Sequence, residues 1–291
     1  MAEYSILWAI TPTHFIPLAT MNGHIPESRS RAKETPASER SGDRYAPGPE
    51  ARPITGSPAL EISNLHAWYG QSHILHGISL DVAQGEVVTL VGRNGSGRTT
   101  ALRAMLGLTD SRKGSIRIRG TESIDLPAYK IMHLGVGYCP EKRGIFAGLT
   151  CEENLLLPPT VGDTLGGGMS LAEIYEMFPH LEERRHSPGT RLSGGEQQML
   201  AVARILRTGA NLLLLDEISE GMAPVIVQAL TRMIGILKQK GYTLILAEQN
   251  FHFTAALADR FYLVEHGQIL QRLDAGDLPA RQHEFKTLLG A

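Results

Sequence analysis

Gly92-Arg93-Asn94-Gly95-Ser96-Gly97-Arg98-Thr99-Thr100 is the stretch that decides the fold. It fits the phosphate-binding pattern G-x-x-x-x-G-K-[ST] except that Arg98 stands where lysine is expected. Before it, Glu86-Val87-Val88-Thr89-Leu90-Val91 is apolar and β-branched and reads as a buried parallel strand. After it, Thr99 to Leu106 reads as the start of a helix. A strand that turns into a helix through glycines aims backbone N–H groups at one point, and the helix dipole adds about half a positive charge there. Gly92, Gly95 and Gly97 let phosphate oxygens approach the main chain, and Ser96 and Thr100 lie in the same cradle. The Thr99 hydroxyl is a hard oxygen donor suited to Mg²⁺. The loop therefore predicts binding of a nucleoside triphosphate. Arg98 keeps the charge but is a wide planar fork rather than a compact ammonium, so binding should survive while hydrolysis is open to slowing.

Outward from the loop, two further motifs fall into place. Leu212-Leu213-Leu214-Leu215-Asp216-Glu217 reads as a fully buried strand that delivers two carboxylates at its C-terminal edge. In phosphoryl-transfer sites the first acid, Asp216, holds Mg²⁺ and the second, Glu217, polarises the attacking water as general base. Leu192-Ser193-Gly194-Gly195-Glu196-Gln197-Gln198 precedes a helical pattern from Glu196 to Leu206. Ser193 is an N-cap, and the free N–H groups behind it form a second anion site.

The order and spacing of these three motifs resemble the ATP-binding cassette (ABC) ATPases over about residues 59–291. The closer resemblance is to the second ATPase of branched-chain amino acid importers, the LivF type. Gly137 to Phe146, Leu149 to Leu155, Ser219-Glu220-Gly221-Met222-Ala223-Pro224 and Ala247-Glu248-Gln249-Asn250 carry it. The resemblance implies that Tyr69 stacks on adenine, with its neighbour Trp68 a weaker candidate. It implies that Gly92 through Thr100 hold the phosphates, and that Ser193, Gly194, Gly195 and Glu196 reach the nucleotide of a second subunit. It also places Glu141 with Thr99 and Asp216 around Mg²⁺, and Gln249 with Glu217 and Arg98 in catalysis.

Three positions depart from the general cassette pattern. Glu141 replaces a glutamine, Gln249 a histidine and Ile218 a proline. Glutamine can hydrogen-bond a γ-phosphate but carries no charge. His252 follows three residues later and reads better as a surface or packing side chain. With Arg98, these departures allow a sluggish site, down to a subunit that binds ATP and hydrolyses it poorly.

Composition bounds the rest. The chain has 291 residues and a net charge of −2, which argues against a dedicated nucleic-acid binder. Cys139 and Cys151 lack metal-ligand spacing and read as reduced, structural thiols. Residues 1–57 differ from the remainder. Tyr4 to Ala19 is apolar but interrupted by Pro12, His14 and Pro17, and residues 22–58 are rich in Pro, Ser, Arg and Glu, so a disordered extension is expected. Translation from Met21 or beyond is one expectation for this tail. No run of about 20 apolar residues exists to span a bilayer.

The expected architecture is α/β: a cassette core with a mostly parallel sheet, an antiparallel β subdomain from Leu60-Glu61-Ile62 and Ile78-Ser79-Leu80, and a helical subdomain over about residues 138–206 with a flexible loop at residues 162–168. Residues 207–291 should return to the sheet through Leu212–Asp216, Thr243–Ala247 and Arg260–Val264, with an amphipathic helix over Val225–Lys240. The resemblance further implies a sister ATPase subunit or a second copy of this chain, two membrane permeases, and indirectly a periplasmic solute-binding protein. It places the chain at the cytoplasmic face of the inner membrane, with ATP and Mg²⁺ as cofactors. Long coiled-coil insertions and a second cassette, which repair and translation ATPases need, are missing from this sequence. An importer of urea or short-chain amides is the neighbouring alternative.

Overall fold

The computed structural model describes residues 58–159 and 168–281. The expectations for the N-terminal extension and for the loop at residues 162–167 lie outside these.

A long hairpin opens the described chain. β1 (Pro58–Tyr69) and β2 (Ser72–Ala83) pair antiparallel, and β4 (Ser111–Ile118) and the short β5 (Thr121–Glu122) extend them into a four-stranded sheet of order β2-β1-β4-β5. The second sheet has six strands in the order β10-β9-β3-β8-β7-β6. Its members are β3 (Val87–Val91), β6 (Val136–Cys139), β7 (Leu212–Asp216), β8 (Thr243–Glu248), β9 (Arg260–Glu265) and β10 (Gln268–Asp274). All pair parallel except β10, which returns antiparallel along β9. The boundary drawn at residue 138 falls inside β6, so Tyr138 and Cys139 belong to the sheet and the helices begin after them.

The leucine run shows why this sheet is interior. Leu212 and Leu214 pack with α1 (Arg98–Met105) and the antiparallel sheet, while Leu213 and Leu215 face the helical side, and all four are buried. A strand covered on both faces needs a continuous apolar run, which is what the sequence has. On the helical side lie α6 (Gly194–Arg207) and α7 (Pro224–Gln239). The predicted stripe of α7 is the buried one: Leu230, Met233, Ile234 and Leu237 have lost solvent contact and Ile226 is partly covered. Short helices complete the fold: α2 (Ala128–His133), α3 (Cys151–Leu156), α4 (Leu171–Met177), α5 (Pro179–Glu183) and α8 (Phe251–Ala255).

Two sets of polar contacts fix these parts to each other. The Arg260 guanidinium, 5% exposed, pairs with Asp81 at 2.7 Å and Glu86 at 2.5 Å, tying β9 to β2 and to the turn before β3. The segment between β6 and α3 is fastened to α6. Arg143 Nη1 donates to Gln197 Oε1 at 3.0 Å, and Arg204 Nη1 donates to the Gly144 carbonyl at 2.6 Å. Buried Asn154 closes the loop ahead of α3 by accepting from the Phe146 N–H and donating to the carbonyls of Phe146, Leu149 and Thr150.

Strand register positions the site. Val91 lies opposite Glu248, and Asp216 opposite Ala247. The C-terminal ends of β3, β8 and β7 therefore share one edge, which collects the glycine loop, both acids of the second motif and Glu248.

Candidate active site

The glycine loop between β3 and α1 is held open by its backbone. Gly95 has φ 78° and Gly97 φ 107°, conformations that side chains with a Cβ rarely adopt. The loop is also clamped from outside. Gly267, in the turn between β9 and β10, donates its N–H to the Ser96 carbonyl at 2.8 Å and accepts from the His76 N–H at 2.8 Å. The Ser96 hydroxyl is buried without a partner, as is Arg98 Nη1. Two orphaned donors beneath a glycine cradle and a helix N-terminus fit an anionic ligand with several oxygens.

The side chains predicted for catalysis converge here. Arg98 is 3% exposed, and its Nη2 donates to Glu217 Oε1 at 2.7 Å and to Asn94 Oδ1 at 3.2 Å. Thr99 Oγ1 donates to Asp216 Oδ1 at 2.9 Å, and the Tyr138 hydroxyl donates to Asp216 Oδ2 at 3.1 Å. Burial raises the Asp216 carboxyl above its ordinary range, against the pull of those two hydrogen bonds. Glu217 sits at φ 50°, with its N–H bound to the Ala247 carbonyl at 2.8 Å. Burial, helped by a hydrogen bond with Glu220, raises the Glu217 carboxyl above its ordinary range, while the Arg98 guanidinium beside it pulls the other way. Beside it, Glu248 is buried and accepts from both the N–H and the hydroxyl of Ser219, yet burial still lifts it to about 7.

An open cavity of about 320 Å³ adjoins these groups, lined among others by Glu217, Glu220, Glu248, Gln249 and Asn250. Gln249 is exposed at its rim, and Asn250 caps α8 by accepting from the Phe253 N–H at 3.1 Å. His252 is exposed on α8. Glu141 is exposed just past β6, near enough to Asp216 for its charge to raise that carboxyl further. Among the described residues no three His, Cys, Asp or Glu side chains form a metal cage. A nucleotide-bound Mg²⁺ needs none, because phosphates and one or two carboxylates hold it.

The remaining predicted residues lie apart. Tyr69 ends β1, half-buried, with the Arg103 guanidinium carbon 5.5 Å from its ring centre. Trp68 is already stacked on His73, with centroids 4.3 Å apart and planes 11° from parallel. Arg93, Asn94 and Gly95 are exposed along the loop. Ser193 caps α6 in a reciprocal box, its hydroxyl accepting from the Glu196 N–H at 3.3 Å while Glu196 Oε2 accepts from the Ser193 N–H at 2.6 Å. Gly194 lies under the Arg143 guanidinium, and Gly195 packs against Ile226. None of the hydrogen bonds of Arg98, Thr99 or Asp216 reaches this turn. Three contributors escaped sequence reasoning: Tyr138, Gly267 and the Ser219–Glu248 pair. Tyr138, Ser219 and Glu248 lie in stretches that carry the family resemblance but were given no role by it, and Gly267 shows only as a glycine in a hairpin turn.

This arrangement is that of a nucleotide-hydrolysing cassette, and comparison with known proteins bears it out. A family profile described as "ABC transporter" matches residues 75–220. The high-affinity branched-chain amino acid transport ATP-binding protein BraG of Pseudomonas aeruginosa is 40% identical over 211 residues, covering 72% of this chain and 91% of that protein. A probable branched-chain amino acid transport ATP-binding protein LivF of Archaeoglobus fulgidus is 31% identical, covering 79% of this chain and 98% of its own length. In fold, the chain is similar to an ATP-binding cassette solved as a dimer in a post-hydrolysis state with ADP and Pi, with a TM-score of 0.64 at 20% identity over 74% of this chain and 98% of that one. The chain belongs to the ABC transporter family. It is an ATP-binding subunit of that family, an ATP hydrolase coupled to transport.

Proposed function

We propose that this chain powers an importer of branched-chain or similar amino acids from the cytoplasmic face of the membrane, as one of two ATPase subunits beneath two permeases. The partner ATPase is a sister subunit or a second copy, and a periplasmic solute-binding protein delivers the cargo. The observation that carries the catalytic part is the convergence of Arg98, Thr99, Asp216 and Glu217 at one sheet edge. The similarity to BraG supports the cargo class. Among the described residues no helix is long and apolar enough to cross a membrane, so the spanning falls to other chains in this reading.

The chain's residues divide the work. Loop N–H groups from Gly92 to Thr100 and the Arg98 guanidinium bind and orient the phosphates, and Tyr69 supports the adenine. Thr99 and Asp216 would hold Mg²⁺, with Glu141 nearby; the ion neutralises phosphate charge. Glu217 takes a proton from the water as its oxygen bonds the γ-phosphorus and the bond to the ADP oxygen breaks. Gln249 hydrogen-bonds the γ-phosphate from the opposite rim. In this reading Ser193, Gly194, Gly195 and Glu196 close the site of the partner subunit.

Uptake of labelled leucine, isoleucine and valine in cells expressing the whole transporter tests this directly. Glu217→Gln should abolish uptake and phosphate release. A second reading, a regulatory subunit that binds ATP but hydrolyses it poorly, is favoured by the Arg98–Glu217 pair. Uptake that persists in Glu217→Gln would select it. Absence of ATP binding by the intact chain would remove both.

A further inference from the structure

Arg98 is spent on one side only. Its Nη2 is held by Glu217 Oε1 and Asn94 Oδ1, while Nη1 is buried with no partner. A buried charged donor without an acceptor is costly, and the acceptor chemistry that the loop also lacks at Ser96 is that of phosphate oxygen. Glu217 has no such freedom. Its left-handed backbone and the bond from its N–H to the Ala247 carbonyl preset the direction of the side chain. Of the two partners, the long guanidinium is the one able to move.

We propose that Arg98 is a masking residue: in the nucleotide-free chain it ties down Glu217, and arriving phosphates draw the guanidinium away and release the carboxylate to accept a proton from water. The inference rests on Glu217 being the general base of the proposed function. A lysine at this position would behave differently, because its stem ends one atom short of the guanidinium nitrogens and offers a single nitrogen rather than a fork. It would reach Glu217 less fully than the fork does and so hold the carboxylate less firmly before phosphates arrive. Arg98 is thus a positioning residue that links loading of the loop to readiness of the base.

The test uses the full chain and ATP itself. Affinity is measured by equilibrium dialysis in EDTA, where nothing turns over. Glu217→Gln should tighten ATP binding at least fivefold, since no ion pair has to be opened. Glu265→Gln removes a charge at the end of β9, next to Val264 whose carbonyl lies against Gly92, that bonds neither Arg98 nor Glu217, and should change affinity less than twofold. Arg98→Lys, assayed with its partners, should raise kcat at least fivefold while KM moves less than threefold. Equal effects of Glu217→Gln and Glu265→Gln would reduce the first result to simple charge repulsion and overturn the proposal. So would an unchanged kcat in Arg98→Lys, provided melting curves show that every variant is folded. Failure of all chains to bind ATP would instead sink the proposed function.

Discussion

The Tyr138 hydroxyl, next to last in β6, holds Asp216 Oδ2 at the end of neighbouring β7 at 3.1 Å, and both residues are almost fully buried. With Thr99 on its other oxygen, Asp216 is fixed from both sides. Supports of this kind typically alter metal affinity 10–100-fold when removed. Tyr138→Phe should therefore raise the Mg²⁺ concentration for half-maximal ATP turnover by about tenfold and cost about 1–3 kcal/mol of stability. Magnesium titration at fixed ATP checks the first effect and chemical denaturation the second.

Gly267 and Gly235 should respond oppositely to alanine. A Cβ at Gly267 would collide with the Ile74 carbonyl oxygen, and its φ is 71°. The change should cost more than about 2 kcal/mol and loosen the clamp on the Ser96 carbonyl, weakening ATP binding. Gly235 lies within α7 with nothing within 4 Å of a new Cβ. Gly235→Ala should stabilise by about 0.5–1 kcal/mol through helix propensity. Melting temperatures of the two variants moving in the same direction would contradict this.

Glu248 gives a pH signature. Its carboxyl is lifted by burial to about 7 in the folded chain, against about 4.3 when unfolded. Between those values the folded chain keeps a proton that the unfolded chain releases. Its contribution to stability is thus complete below about pH 4 and lost as pH rises through about 7. Glu248→Gln removes this loss, so its melting temperature should gain on the natural chain from pH 5 to pH 8. Parallel curves would clear Glu248 of the effect.

Arg260 is the hinge pin of the two sheets. Arg260→Met would leave Glu86 and Asp81, 12% and 22% exposed, without their main cation. A loss of about 3–5 kcal/mol is expected, since stranding a buried charge is costly. Adding Glu86→Gln should recover part of it in urea denaturation.

The elements that could be read from sequence are those whose signal is local. The loop announces itself as strand, glycines and helix, Leu212–Leu215 as a strand covered on both faces, and Ser193 as a helix N-cap. α7 appears from its stripe alone. β5 and β10 do not, because they are short or edge strands with mostly half-exposed residues and no clean alternation. The site divides similarly. Resemblance supplied roles for Arg98 and Glu217 but not their bond, which joins residues far apart in sequence and exists only because β3 and β7 flank β8. Gly267 was invisible for the same reason: its hydrogen bonds reach back to Ser96 and His76 across most of the domain. Trp68 shows the reverse, an aromatic whose face is already taken by His73.

The fastening of residues 143–144 to Gln197 and Arg204 makes a lever of the stretch after β6. One end carries Glu141, close enough for its charge to act on Asp216; the other is bolted to the helix crowned by Ser193. These two hydrogen bonds give the ends of the stretch a short mechanical path to each other, so in the proposed function a shift at Glu141 would be felt at the serine-glycine crown.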